Sequence, residues 1–213
     1  MSYAPTVSPY LVRTPRERAL EAIVRIVAVR GYDATSVVDV LERAELERAE
    51  FESMFVGKED CFLEAYDAVV DVLVARVSEA YEATAGEPWA DRILAGLREL
   101  VSLMSAEPEI ARMATVEVAA IGEDARIRYR AALARFVRFL EQGREVCGRR
   151  DELPSEAARF AIGGATSILF SEIRAGRGAE LWRILPDLVF AVTMPYLGVE
   201  EAEAEMQRAA RAG

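Results

Sequence analysis

The chain has 213 residues, 52% of them hydrophobic and 29% charged, with 36 acidic against 26 basic side chains and a formal net charge of −10. Such a length and apolar content describe a globular chain with a substantial core, either a small head plus a larger second domain or one domain of unusual size, and exclude a disordered polymer. The absence of histidine removes the commonest general base and metal ligand; with no cysteine cluster and no glycine-rich phosphate loop, no metal, no cofactor and no ordinary enzyme function is expected.

Residues 1–15 contain Pro5, Pro9 and Pro15 without periodicity and read as a flexible N-terminal arm. Arg13, Arg16 and Arg18 at its junction suit either a DNA backbone or a solvated tail. The arm lacks the apolar core of a secretory signal, and no later apolar run approaches about 18 residues free of charge, so a cytoplasmic protein with no membrane partner is expected. Over residues 16–30, Ala19, Leu20, Ile23, Ile26, Val27 and Arg30 fall at helical spacing, and Gly31 supplies the glycine expected past a helix end. Thr35 and Ser36 offer N-cap hydroxyls to a second helix with Val37, Val40, Leu41 and Ala44 on one face. A third helix follows after about one turn, with Leu46, Ala49, Phe51 and Phe55 pointing inward, which is the arrangement of a helix-turn-helix. Three residues later stands Lys58, the only lysine in the chain.

The stretch from Gly31 to Phe62, G-Y-D-A-T-S-V-V-D-V-L-E-R-A-E-L-E-R-A-E-F-E-S-M-F-V-G-K-E-D-C-F, resembles the N-terminal domain of the TetR family of transcriptional regulators. Gly31, Tyr32, Thr35, Ser36, Val37, Asp39, Val40, Ala44, Phe51, Phe55, Lys58, Glu59 and Phe62 match the family pattern in register and without a gap. The resemblance implies a helix-turn-helix domain over 16–60, a helical effector-binding and dimerisation domain over 61–213, and a homodimer that holds an operator until a small apolar or amphipathic effector releases it. It also implies DNA contacts from Thr35, Ser36, Arg48, Ala49, Glu50, Glu52 and Lys58, with Lys58 and the start of the fourth helix on phosphates. The sequence departs from the family at Glu45, where the turn glycine is usual, at Glu47, where a serine caps the recognition helix, at Glu50, where a small hydroxyl is usual, and at Glu52, where a tyrosine often binds phosphate. Residues 45–53 therefore carry four glutamates against one arginine on the element meant to face a polyanion. A glutamate assists base readout only by accepting from cytosine N4. Two alternatives to operator binding follow: a domain that keeps its core without binding DNA and acts as a ligand-binding or protein-interaction module, or an acidic face for a basic partner.

Beyond Lys58 the pattern is helical throughout, no strand alternation persists, and the expected fold class is all-α. Residues 59–85 read as one long helix bearing Phe62, Leu63, Tyr66, Val69, Val70, Leu73 and Val77, ended by Gly86 and Pro88. Residues 89–105 form the next, Pro108 opens a shorter one that runs to Gly122, and 123–147 reads as a single long helix. On that helix Arg126, Arg128, Arg130, Arg135 and Arg138 suit either nucleic acid or a solvated face paired with the acidic excess. Cys61 and Cys147 read as buried small hydrophobes, with redox sensing as the alternative. Helices over 154–175 and 179–197, joined by Gly176–Gly178, should lie antiparallel, with Gly163 and Gly164 permitting close packing, and the tail beyond Gly198 should be a short helix or a frayed end.

Residues 169–198 loosely resemble the C-terminal helix pair through which TetR-type domains dimerise, so Ile168, Leu169, Ile173, Leu181, Leu185, Leu188, Val192 and Tyr196 are the expected dimer interface. An effector pocket is expected between the body helices, with Trp89, Met104, Met113, Phe136, Phe139, Phe160 and Phe170 as candidate lining. Glu117, flanked by Val116 and Val118, faces solvent, pairs with an arginine such as Arg112, or awaits a ligand donor. The TetR resemblance further implies that an effector in the body shifts the helix over 59–85 and so changes the spacing of two operator-bound heads.

Overall fold

A computed structural model describes residues 14–146, 148 and 152–211. Arg13 with the rest of residues 1–13, and Cys147, lie outside the described residues. Every regular element among the described residues is helical, and the chain divides into two compact units between Ala65 and Tyr66, within the fourth helix.

The N-terminal unit starts from local signals. Helix α1 (Pro15–Arg30) begins with a capping box in which the Thr14 side chain accepts from the Glu17 amide and the Glu17 carboxylate accepts from the Thr14 amide; Pro15 sits in its first turn. It ends at Gly31, whose φ of 82° is natural for glycine and whose amide donates to the Val27 carbonyl. Helix α2 (Val37–Ala44) carries a second capping box between Ser36 and Asp39, and α3 (Arg48–Met54) follows after a three-residue turn. The start of α4 (Lys58–Glu82) closes the unit. Ala19, Ile23, Val27, Val40, Phe51, Phe55, Cys61 and Phe62 form its buried interior.

The C-terminal unit is built from the remainder of α4 and from α5 (Trp89–Ala106), α6 (Pro108–Arg112), α7 (Val118–Ile121), α8 (Glu123–Ala134), α9 (Val137–Val146), α10 (Ala157–Arg174), α11 (Leu185–Leu197) and α12 (Val199–Arg211). A π-helical turn, Met113–Glu117, joins α6 to α7, and a 3₁₀ segment, Gly178–Ile184, precedes α11. The expected helix over 123–147 is two helices. The Arg135 and Phe136 amides reach back only three residues, to the Ala132 and Leu133 carbonyls, and this tight turn separates α8 from α9. All five arginines there are engaged within the chain, Arg126 and Arg130 with Glu123, Arg128 with Asp67, Arg135 with Asp71 and Arg138 with Ser78. The expected helix over 179–197 likewise starts as 3₁₀ and becomes α-helical where Pro186 occupies its first turn. The tail is a regular helix, α12, which buries Ala202 and Ala209 and packs on α11.

Two packing expectations are corrected. Gly163 and Gly164 have open space where a Cβ would stand, so they mediate no close packing within the subunit; Gly143 does, where a Cβ would stand 2.5 Å from Cζ2 of Trp89, as does Gly178, where it would stand 3.0 Å from Cβ of Pro108. Leu169, Ile173, Leu181, Leu185, Leu188, Val192 and Tyr196, expected at a dimer interface, are buried in the subunit's own core, because one subunit already covers the inner faces of α10 and α11; of the eight residues only Ile168 keeps partial exposure.

Candidate functional site

In the N-terminal unit, the motif residues are committed to the fold of the turn. Thr35 is 3% exposed, and its hydroxyl donates to the Gly31 carbonyl at 2.8 Å. Lys58 Nζ donates to the Tyr32 carbonyl at 2.9 Å and the Thr35 carbonyl at 2.8 Å, and lies 3.9 Å from the centre of the Tyr32 ring. Its charge therefore closes the α1–α2 turn by satisfying two backbone acceptors and a π face. Partial burial first, and then Glu59 and Asp33, push the Tyr32 phenol up to about 12. Ser36 is exposed, but its hydroxyl donates to Asp39 at 2.6 Å. The Asp39 carboxyl is held below its ordinary value by Ser36 and, secondarily, by Arg30 at 3.0 Å.

On α3, Arg48 and Glu52 form an exposed ion pair at 3.4 Å, Ala49 is exposed and Glu50 is half-buried. Glu47 begins the helix without a side-chain cap, and Glu45 occupies the left-handed turn position at φ 53°, ψ 52°. The amide of Val56, two residues before α4, donates to the Asp60 carboxylate at 3.0 Å. Arg16 pairs with Glu64, and Arg18 donates to the Glu45 carbonyl at 3.2 Å; both are occupied within the unit.

The C-terminal unit contains a cavity of about 150 Å³, measured as space for the centres of water-sized molecules. One water needs roughly 10–15 Å³ by that measure, so the space admits a medium-sized organic ligand. One wall is a single stripe of α4, with Tyr66, Val70, Leu73, Val77 and Tyr81 four, three, four and four residues apart. Facing it are Met104 and its neighbours on α5, Leu133 and Phe136 around the α8–α9 break, Phe139 on α9, and Ile162, Thr166 and Leu169 on α10. The π-helical turn contributes Ala114 and Thr115. No Asp, Glu, Lys or Arg is among the described lining residues.

Of the predicted lining, Met104, Phe136 and Phe139 meet at this cavity. Trp89 instead packs at 5.0 Å on Tyr196 and donates its indole N–H to the Phe139 carbonyl at 2.9 Å. Met113 is fully buried off the cavity, Phe160 is 74% exposed, Phe170 lies outside the lining, and Glu117 pairs with Arg112 at 3.1 Å. Sequence reasoning missed the cavity's polar groups, Tyr66, Tyr81, Tyr129, Thr115 and Thr166, although the stripe with tyrosine at both ends carried the signal. Tyr81 donates to Gln142 at 2.7 Å and Thr115 to the Ala111 carbonyl at 2.7 Å. The Tyr66 and Tyr129 hydroxyls find no acceptor among the described residues. Burial raises both phenol pKa values, and Tyr129 and Asp67 raise that of Tyr66 further. Among the described residues no group of three His, Cys, Asp or Glu stands close enough to hold a metal, and no helix is long and apolar enough to cross a membrane.

No family profile and no curated protein matches the sequence. Solved structures do share its fold. The fatty acid degradation regulator FadR of Bacillus halodurans superposes with a TM-score of 0.73 at 14% identity, covering 88% of this chain and 97% of its own. FadR of Bacillus subtilis, in complex with stearoyl-CoA, gives 0.67 at 14% identity over 85% and 97%. The TetR-family regulator PfmR of Thermus thermophilus gives 0.59 at 20% identity over 91% and 97%. The chain thus has the all-α fold of the TetR-family regulators.

Proposed function

We propose that this chain is a ligand-responsive, DNA-binding transcriptional regulator that works in the cytoplasm as a homodimer, and that an apolar or amphipathic effector releases it from its operator. The observation that carries this reading is the apolar cavity beside α4. That helix begins with Lys58, which closes the helix-turn-helix turn, and continues as one cavity wall. A ligand that favours one position of α4 has a direct covalent route to the DNA-reading unit, and the coupling equals its difference in affinity for the two positions. The same-fold FadR structure that holds stearoyl-CoA supports an effector with a long apolar part.

On the DNA side, Ser36, Arg48, Ala49, Glu50 and Glu52 remain for contact, whereas Lys58 and Thr35 act by shaping the turn. The dimer face proposed in place of the buried set is the outward side of α10 with the 3₁₀ segment: Phe160, Gly163, Gly164 and Ile168, with Trp182 at 56% exposure. A second reading, a ligand-binding module that leaves DNA alone, is favoured by the Arg48–Glu52 pair and the internal bonds of Lys58.

Selection of bound duplexes from a random pool, followed by fluorescence anisotropy at low and moderate salt, separates the two. A recovered palindrome whose affinity falls with salt supports the regulator. Absence of binding at low salt leaves the module.

A further inference from the structure

Within the ligand-responsive reading, on which this inference rests, we infer that the cavity takes an uncharged amphiphile with a hydrogen-bond-accepting group, an ester or ketone carbonyl, held by the phenols of Tyr66 and Tyr129, with its apolar chain along the α4 stripe. Three observations converge on that chemistry. The lining offers no ionised side chain, so a carboxylate or ammonium entering it would lose its hydration without a counter-charge. Asp67, the ionised group that acts on Tyr66, is already paired with Arg128. The cavity's hydroxyls also divide by occupation. Tyr81 and Thr115 already donate to Gln142 and the Ala111 carbonyl, while Tyr66, 1% exposed, and Tyr129, half-buried, find no acceptor among the described residues. Neither hydroxyl is among the buried side-chain atoms left without a partner, so both keep accessible surface with their donors uncommitted, and a ligand carbonyl in the cavity supplies an acceptor.

The test uses the full chain and displacement of the fluorescent dye N-phenylnaphthylamine by methyl decanoate, decanoate and decylamine at neutral pH. These share one alkyl length and differ in headgroup charge. Methyl decanoate is expected to displace the dye at about tenfold lower concentration than either ion, and Tyr66→Phe to weaken the ester about tenfold once referred to the dye affinity measured in the same variant. Tyr129→Phe provides the second variant, with a loss in the same direction. Decanoate or decylamine binding as tightly as the ester overturns the inference and leaves a ligand-responsive regulator standing, as does an ester affinity unchanged in both phenylalanine variants. A chain that takes up neither the dye nor any of the three amphiphiles overturns the ligand-responsive reading itself, and the inference with it.

Discussion

The two units treat their polar groups in opposite ways. In the N-terminal unit Thr14, Thr35, Ser36, Asp39 and Lys58 each close a turn or cap a helix, so polar residues that match a DNA-binding pattern are holding backbone. In the C-terminal unit the cavity leaves two phenols without acceptors in a lining that carries no charged side chain among the described residues. A motif residue therefore reports fold when its bonds are internally complete, and a site is marked by donors whose bonds are not.

Breaking the packed side of that contrast should give the largest effect. Gly143→Ala places a Cβ against the Trp89 ring, which is fixed by its bond to the Phe139 carbonyl, and should destabilise the protein by about 3 kcal/mol. Urea unfolding with tryptophan fluorescence reads this, and a midpoint within error of wild type would mean that Trp89 moves aside freely. Next comes Lys58→Met, which leaves the Tyr32 and Thr35 carbonyls to water and should cost about 2 kcal/mol. If the same variant keeps its stability and instead lowers the salt dependence of DNA binding, Lys58 is a phosphate contact after all.

The acidic departures sharpen the comparison from the other direction, because each should be improvable. Glu45→Gly relieves a left-handed residue and should stabilise by about 1 kcal/mol, seen as a higher urea midpoint at unchanged slope. Loss of stability there would show that the Glu45 side chain makes a compensating contact. Smallest is Glu47→Ser, which supplies the missing cap of α3 and should add about 0.5 kcal/mol, measurable as slower amide exchange in Phe51 and Glu52.

Legibility followed the same division. The Gly31–Phe62 register exposed the three helices, and Thr35, Ser36 and Lys58 were visible as special positions; their partners were not, since nothing in a linear pattern says that the Lys58 ammonium turns back to residues 26 and 23 positions earlier. In the body, Met104, Phe136 and Phe139 were legible as candidate lining, but Trp89, Met113, Phe160 and Phe170 had equal claims by residue type. Their separation into cavity, core and surface depends on which face each helix presents. For α10 and α11, apolar on several faces, the pattern was degenerate, and it did not say that Leu169, Ile173, Leu185, Leu188 and Val192 would be buried in the subunit while Phe160 stayed exposed.

What the sequence by itself determined is whatever acts within a few residues: caps at Thr14 and Ser36, the glycine stop at Gly31, the helical period from α1 to α11, and the acidic character of α3. Only the tertiary structure decided the target of Lys58, the break between α8 and α9, the π-helical turn at Met113–Glu117, and the convergence of Tyr66 and Tyr129 on one apolar cavity. The physical reason is range. Capping and periodicity are satisfied by neighbours along the chain, whereas a hydrogen bond across dozens of residues, or a space left unfilled among packed side chains, exists only once several helices have fixed one another in place.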